Sequence, residues 1–454
     1  MTILLAKNSA RRLALDVLLE CRKKQAFVQD LLDQSLRRTP LSPADRRLAT
    51  QLIYGVLRRR GTLDALLRPR INRQAHQVEP WIWETLRLGA FQLLLLSHIP
   101  PHAALNETVE LANSMNLPRA KGFINGVLRS LLPLLTQVET TASGPDALPL
   151  ANGVYRQLGR PVLPEPSAFP VEYLAQAFSL PHWLAARWHV RFGWEECLRL
   201  GFWFAGPSPL TLRVNSLRCE RATFLANVGD SAEPGAYPQS VRWHAHLPMT
   251  EIPGFAAGHF VVQDEAAMQV GAALAPEPGQ YVLDLCAAPG GKTTHLAELM
   301  GNQGHVLACD VDRRKLESLE DTCCRLGLTI IETKVLDGPC SAAPPGPFDC
   351  VLVDVPCSNT GVLGKRPEAR WRLKPKDLPH LVGLQTALLH QGCDRARRGG
   401  KIVYSTCSIE PEENRQVVQA VLETRADFTL EAEEAAVPGL PADGGYWARL
   451  RRQG

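Results

Sequence analysis

The chain has 454 residues, 45% hydrophobic and 21% charged, with a net charge of +4. That is the make-up of a globular protein of roughly two to four domains, and it excludes a disordered or fibrous chain. Charge is unevenly placed: residues 1–135 hold 20 Lys/Arg against 10 Asp/Glu, a surplus of +10, which leaves −6 for the remainder.

A surplus of that size at one end is the electrostatic footprint of a polyanion binder, because each phosphate contact releases counterions. A solvated helical surface rich in Arg would carry it too. The 12 cysteines include no Cys-x-x-Cys pair, and the adjacent Cys323 and Cys324 cannot close a tetrahedral site alone, so no metal is expected. Met1 to Ala6 is too short for a leader peptide. The apolar stretch Leu88 to Leu96, broken by Gln92, falls well short of the roughly 20 residues of a membrane span. The expectation is a cytoplasmic protein with reduced thiols and no membrane partner.

From Ser9 to Leu135 apolar residues recur at helical spacing, as in Leu13, Val17, Leu18 and Leu48, Leu52, Ile53, Val56, Leu57, which predicts an all-α domain over 1–135. Ser42 reads as an N-cap with Pro43 at the first helical position, and Gly61 as the end of that helix. Residues 136–166, with Ser143-Gly144-Pro145 and Leu163-Pro164-Glu165-Pro166, read as a linker. A small α+β module is expected over 167–265: a helix around Trp183 to Trp188, then strands Leu210 to Val214 and Phe260 to Val262. Both tryptophans read more readily as core than as base-stacking platforms.

Over 266–454 short apolar runs alternate with helical segments: Tyr281 to Asp284, Val306 to Asp310, Thr329 to Val335, Cys350 to Asp354 and Lys401 to Ser405. This is the pattern of a parallel sheet covered on both faces, an α/β Rossmann-like domain. Cys309, Cys323, Cys324 and Cys350 read as core, Glu431 to Glu434 as a solvated acidic stretch, and His295 as helix surface.

The first of these strands runs into Asp284-Leu285-Cys286-Ala287-Ala288-Pro289-Gly290-Gly291-Lys292-Thr293. Small residues and paired glycines let backbone approach a ligand at the carboxyl edge of an open sheet. A Walker A loop needs glycine six positions before its lysine, where Cys286 stands, and the dinucleotide spacing Gly-x-Gly-x-x-Gly is missing. Asp310 ends the second strand where a carboxylate accepts from ribose hydroxyls. Asp337, after the third, is placed to accept from an adenine amino group.

Two cysteines follow the fourth and fifth strands at matching positions, Asp354-Val355-Pro356-Cys357-Ser358 and Ser405-Thr406-Cys407-Ser408. Neighbouring strands would bring both thiols to one edge, beside the glycine turn. A thiol there has a chemical use. Attack of a thiolate on carbon 6 of cytosine makes carbon 5 enamine-like and able to accept a methyl group from a sulfonium, dividing one hard step into easier ones. Lys292 would favour the thiolate, and Asp354 could share a proton with ring nitrogen 3.

These runs, with Glu410-Pro411-Glu412-Glu413-Asn414 after Thr406-Cys407-Ser408, resemble the Sun/Fmu (RsmB-type) ribosomal RNA cytosine-5 methyltransferases along nearly the whole chain. The resemblance implies a class I S-adenosylmethionine-dependent methyltransferase domain in which Cys286, Ala287, Ala288, Pro289, Gly290, Gly291, Lys292, Asp310, Asp337 and Asp354 bind or border the cofactor. It implies Cys407 as the attacking thiol and Cys357 as the one that assists release. The amino-terminal region resembles the NusB RNA-binding fold through Ala44-Asp45-Arg46 and Phe123-Ile124-Asn125-Gly126-Val127-Leu128-Arg129, implying small-subunit (16S) ribosomal RNA as partner. A monomer is expected. The chain departs from the family at Val355 and at Pro367-Glu368-Ala369. The competing reading is a non-catalytic RNA-binding or ribosome-assembly factor on a degenerate Rossmann-like module, against which the intact Asp284, Asp310, Cys357 and Cys407 argue.

Overall fold

The computed structural model describes residues 9–24, 26–72, 77–115, 117–245, 247–338, 344–439 and 442–454; the stretch Met1 to Ala6 lies outside them. The chain forms two compact units, Met1–Ser208 with Leu363–Arg372, and Pro209–Val362 with Leu373–Gly454. The division therefore falls after Ser208, inside the segment expected as one small module.

The first unit opens with the helices Ala10–Lys23, Val28–Arg38, Pro43–Leu67, Pro80–Leu95, Pro101–Ser114 and Lys121–Arg129, all contributing to one core. Ser42 caps its helix by accepting from the Asp45 N–H, with Pro43 at the start, as its sequence predicts. Gly61 does not end that helix, which runs on to Leu67. Glycine is needed there for closeness: a Cβ would come within 3.0 Å of the Ser179 Cα, and the Gly61 N–H donates to Ser179 Oγ at 2.6 Å. Pro80–Leu95 is buried nearly all round, and its one cation, Arg87, is matched inside the core by Asp64 at 2.7 Å and Glu84 at 2.6 Å. Burial would push that guanidinium down, but the two carboxylates hold it above its ordinary value.

The expected linker is not one. Strands β1 (Glu139–Thr140), β2 (Ala147–Ala151) and β3 (Val154–Gln157) form an antiparallel sheet in the order β1-β3-β2; its prolines and glycines mark turns rather than a tether. The helix His182–Ala205 follows, with Trp188 buried against Phe192 and Phe204. The segment Leu363–Arg372 completes this unit: Arg370 is buried and donates to the carbonyls of Ser179, Phe204 and Leu363. Glu368 accepts the Val28 N–H at 3.1 Å, satisfying a donor at the start of the helix Val28–Arg38 that the helix itself cannot pair.

The second unit begins with a small antiparallel sheet of β4 (Leu210–Val214), β5 (Ala232–Pro234), β6 (Ser240–Trp243) and β7 (Phe260–Val262), ordered β5-β6-β4-β7. Next come β8 (Tyr281–Asp284), β9 (His305–Asp310), β10 (Ile331–Val335), β11 (Phe348–Asp354) and β12 (Ala396–Thr406), parallel throughout, then β13 (Phe428–Ala436) and β14 (Gly445–Arg452), which run antiparallel. The order is β10-β9-β8-β11-β12-β14-β13. Strand alternation divides the core in two: Leu283, Val351 and Val353 face one apolar cluster, and Val282, Cys350 and Leu352 the other. Both faces are apolar because helices cover both.

The acidic stretch Glu431 to Glu434 lies within β13, with Glu431 and Glu434 exposed as expected. Glu431 bridges Arg449 at 2.9 Å and Arg451 at 2.7 Å on the adjacent strand, and Glu433 accepts the Tyr446 hydroxyl at 2.6 Å. Cys309, Cys323 and Cys350 are buried, but Cys324 is exposed. Among the described residues no helix is long and apolar enough to cross a membrane.

Candidate active site

The glycine turn joins β8 to the helix Gly291–Leu299. Gly290 has φ +99°, and a Cβ on it would lie 2.2 Å from Leu319 Cδ1, so only glycine fits this bend. At Gly291 the nearest atom to a Cβ is Gln263 Nε2 at 3.9 Å, which leaves room before the first helical turn. The Asp310 carboxylate, at the end of β9, accepts the Ala288 N–H at 3.0 Å and the Asp312 N–H at 2.9 Å, so it ties the Cys286–Gly290 turn to the end of β9. Val335 is the Cα partner of Asp310, and Asp337, two residues further on, is exposed at the same edge. Asp284 is buried, and accepts the Thr293 hydroxyl at 2.7 Å. Burial pushes its carboxyl up to about 7 despite that bond. Burial, together with the carboxylates of Asp284, Asp354 and Asp310, also pushes the Cys286 thiol far up, so it stands as a neutral wall of the turn.

The thiols meet. Val353 and Asp354 of β11 are in register with Tyr404 and Ser405 of β12, and the two turns beyond bring Cys357 Sγ to 3.1 Å from Cys407 Sγ. Asn359 braces them, donating to the Cys357 carbonyl at 2.8 Å and accepting from the Cys407 thiol at 3.4 Å. Hydrogen bonding to Cys407 first, then burial and the charges of Cys407 and Glu413, hold the Cys357 thiol well above its ordinary value.

Lys292 reaches the same place. Its ammonium bonds Asp354 Oδ2 at 2.7 Å, and Asp354 Oδ1 accepts the Ser405 hydroxyl at 2.7 Å. Burial would lower the ammonium, but Asp354, with Cys407 and Asp284, holds it above its ordinary value. Lys292, Cys407, Thr406, Asp264, Asp443 and Trp447 line one recess. A cation, a carboxylate and a recess beside a thiol are what a covalent reaction on a small planar ligand requires.

Of the residues expected at the site, Lys292, Asp354, Cys357 and Cys407 converge, while Asp310 and the Cys286–Gly291 turn form a second group along the sheet edge. Asp337 is exposed at that edge. His295 is not on the helix surface: it is 1% exposed, with Nε2 2.9 Å from Gln239 Oε1. Burial and the nearby Arg213 push its imidazole far down, so it is neutral core.

Two features of the site were not singled out from the sequence. Arg213 of β4 is fully buried, bonds Glu298 at 2.8 and 3.0 Å and Thr294 at 2.9 Å, and donates to the Gly291 carbonyl at 2.8 Å. It thus fastens the small sheet to the helix that follows the glycine turn. Glu413, beyond Cys407 in the Glu410 to Asn414 run, is buried beneath both cysteine turns. A lone arginine on a strand and a glutamate in an acidic run carry no sequence signal of burial; the alternation of β4 places Arg213 opposite the apolar face of Leu212 and Val214.

The family described as "16S rRNA methyltransferase RsmB/F" matches residues 271–441, and the NusB family matches residues 8–133. A Bacillus subtilis protein named "Probable ribosomal RNA small subunit methyltransferase B" is 34% identical over 438 residues, covering 93% of this chain and 90% of that protein. The ribosomal RNA small subunit methyltransferase B of Escherichia fergusonii is 33% identical over 426 residues, covering 90% and 91%. The crystal structure of PH0851 superposes with a TM-score of 0.78 at 24% identity over 98% of both chains, a likeness of fold. A Rossmann-like sheet with paired thiols at its edge and relatives aligned from end to end place this chain in the RsmB/F family of 16S rRNA methyltransferases, with a NusB domain at its amino-terminal end.

Proposed function

We propose that the chain methylates carbon 5 of a cytosine in 16S ribosomal RNA, with S-adenosylmethionine as methyl donor and Cys407 as covalent nucleophile. The observation that best supports this reading is the 3.1 Å approach of Cys357 and Cys407 beside the Lys292–Asp354 pair. The bent turn at Gly290, the open room at Gly291 and the acceptors of Asp310 and Asp337 suit a nucleoside-linked cofactor. When bound, it supplies an electrophilic methyl group.

The chain's own residues account for the remaining work. Cys407, ionised beside Lys292, forms a bond to carbon 6 of the cytosine, and the displaced electron density makes carbon 5 nucleophilic. Asp354 holds Lys292 and faces the pyrimidine edge, where charge accumulates on thiolate addition. After carbon 5 has taken the methyl group, a base removes its proton, the Cys407 bond to carbon 6 breaks and the ring double bond returns. Cys357, kept protonated, assists that release. The basic amino-terminal region docks the folded RNA through phosphates and shape, and the target base enters from a loop or is flipped. Bisulfite mapping of small-subunit RNA incubated with enzyme and S-adenosylmethionine should show one new protected cytosine. Absence of both protection and cofactor binding would favour a non-catalytic RNA-binding factor.

A further inference from the structure

Glu413 lies at the end of the turn Pro411–Glu413, and is 0% exposed. Its Oε1 accepts the Ser358 N–H at 2.8 Å and Gln385 Nε2 at 2.9 Å; its Oε2 accepts the hydroxyls of Ser358 and Ser408. Ser358 directly follows Cys357, and Ser408 directly follows Cys407. One buried carboxylate therefore holds the residue next to each thiol. Burying a carboxylate costs several kcal/mol unless donors surround it, and here every facing group can donate.

The chemistry of that pocket calls for a carboxylate. The Ser358 N–H can only donate, and the hydroxyls of Ser358 and Ser408 both donate to Glu413, with Thr360 Oγ1 at 3.2 and 3.1 Å from them. A carboxylate is acceptor-only and can take the N–H and both serine hydroxyls, whereas an amide would turn an N–H₂ toward donors. The next residue extends the clasp: Asn414 accepts the Thr406 hydroxyl at 2.6 Å and donates to the Ser408 carbonyl at 3.0 Å. Beyond Asp354 and Ser405 the regular pairing of β11 with β12 ends, and the two turns are held by the backbone bonds from Val355 N–H to the Ser405 carbonyl and from Gly361 N–H to the Cys407 carbonyl together with these side-chain ties.

We propose that Glu413 is a positioning residue for the thiol pair, holding Cys357 against Cys407 in the geometry that the release step requires. The inference rests on the covalent cytosine reading above. The carboxylate's double hold on Ser358 also places its charge near Cys357, while the Lys292 cation stands by Cys407.

The test is Glu413→Gln in the full-length protein, assayed on small-subunit RNA and on the same RNA carrying 5-fluorocytosine. The wild type should trap 5-fluorocytosine RNA. The variant should bind S-adenosylmethionine within about twofold of wild type, keep its KM for RNA, lose at least tenfold in kcat, and accumulate a slowly decaying adduct on unmodified RNA. Ser408→Ala, which keeps the carboxylate but removes its tie to the Cys407 turn together with that hydroxyl's contacts to Ser358, Thr360 and the Glu410 N–H, guards against a folding failure and should slow adduct decay in the same direction by a smaller factor. Wild-type kcat and adduct lifetime in Ser408→Ala, or in a folded Glu413→Gln, would overturn the inference. If the wild type itself forms no adduct, the covalent reading fails and takes this inference with it.

Discussion

Asp354 and Ser405 are Cα partners across β11 and β12, and the serine hydroxyl donates to the aspartate at 2.7 Å. This cross-strand bond turns the Asp354 carboxylate so that its other oxygen meets Lys292. It also fixes the register from which both cysteine turns depart.

Because the thiols leave that register together, their substitution should separate two steps. Cys407→Ala should abolish methyl transfer and trapping of 5-fluorocytosine RNA while leaving cofactor affinity intact; residual activity would reassign the nucleophile. Cys357→Ala should still attack but release slowly, so a protein–RNA adduct should appear on a denaturing gel with unmodified RNA. A clean gel with normal turnover would remove Cys357 from the release step.

Much of this site was legible in the sequence because each signal was local. Asp284, Asp310 and Asp354 each stand at the end of an apolar run, and both cysteines stand two or three residues past one, so parallel neighbours had to bring them to one edge. What was not legible depends on partners distant in sequence. β13 pairs with β14, and Glu431, exposed as its sequence suggests, meets Arg449 and Arg451 only across that ladder. Segment 136–166 has the Pro and Gly of a tether, but β2 and β3 form a hairpin within it. Glu413 gains its role only where Ser358 and Ser408 converge on it.

Gly290→Ala tests the turn. At φ +99° a side chain strains the backbone by roughly 1–3 kcal/mol, and here it also collides with Leu319. The variant should unfold at lower temperature and lose at least tenfold in affinity for S-adenosylmethionine by calorimetry. Unchanged affinity would mean the bend does not shape the cofactor site.

Arg213→Met leaves Glu298 buried without its bidentate partner. Removing one member of a buried pair costs about 3–5 kcal/mol, which urea denaturation should register as a lower midpoint. Replacing Glu298 by Met as well should recover part of the loss; if the double variant loses as much as the two single variants together, the pair is not acting as one unit.

Asp284 carries a stability signature with a defined sign. Its carboxyl is raised to about 7 in the folded protein from an ordinary value of 3.8. Below that ordinary value both states are protonated. Between it and about 7 the unfolded chain has lost a proton that the native state keeps, so stability falls as pH rises, on the order of a few kcal/mol, and then levels. Asp284→Asn cannot titrate, so the stability difference between wild type and variant should change across that window and be constant above it. A difference independent of pH from 4 to 8 would refute this assignment.

The excursion of Leu363–Arg372 into the first unit has a consequence for biosynthesis. While the chain is being made, the amino-terminal half leaves the ribosome long before the peptide that fills its last gap, with the carbonyls of Ser179 and Phe204 waiting for Arg370. Maturation of the helical half is therefore deferred until most of the catalytic half has been translated, and the nascent protein has no stage at which one half is finished and the other is not begun.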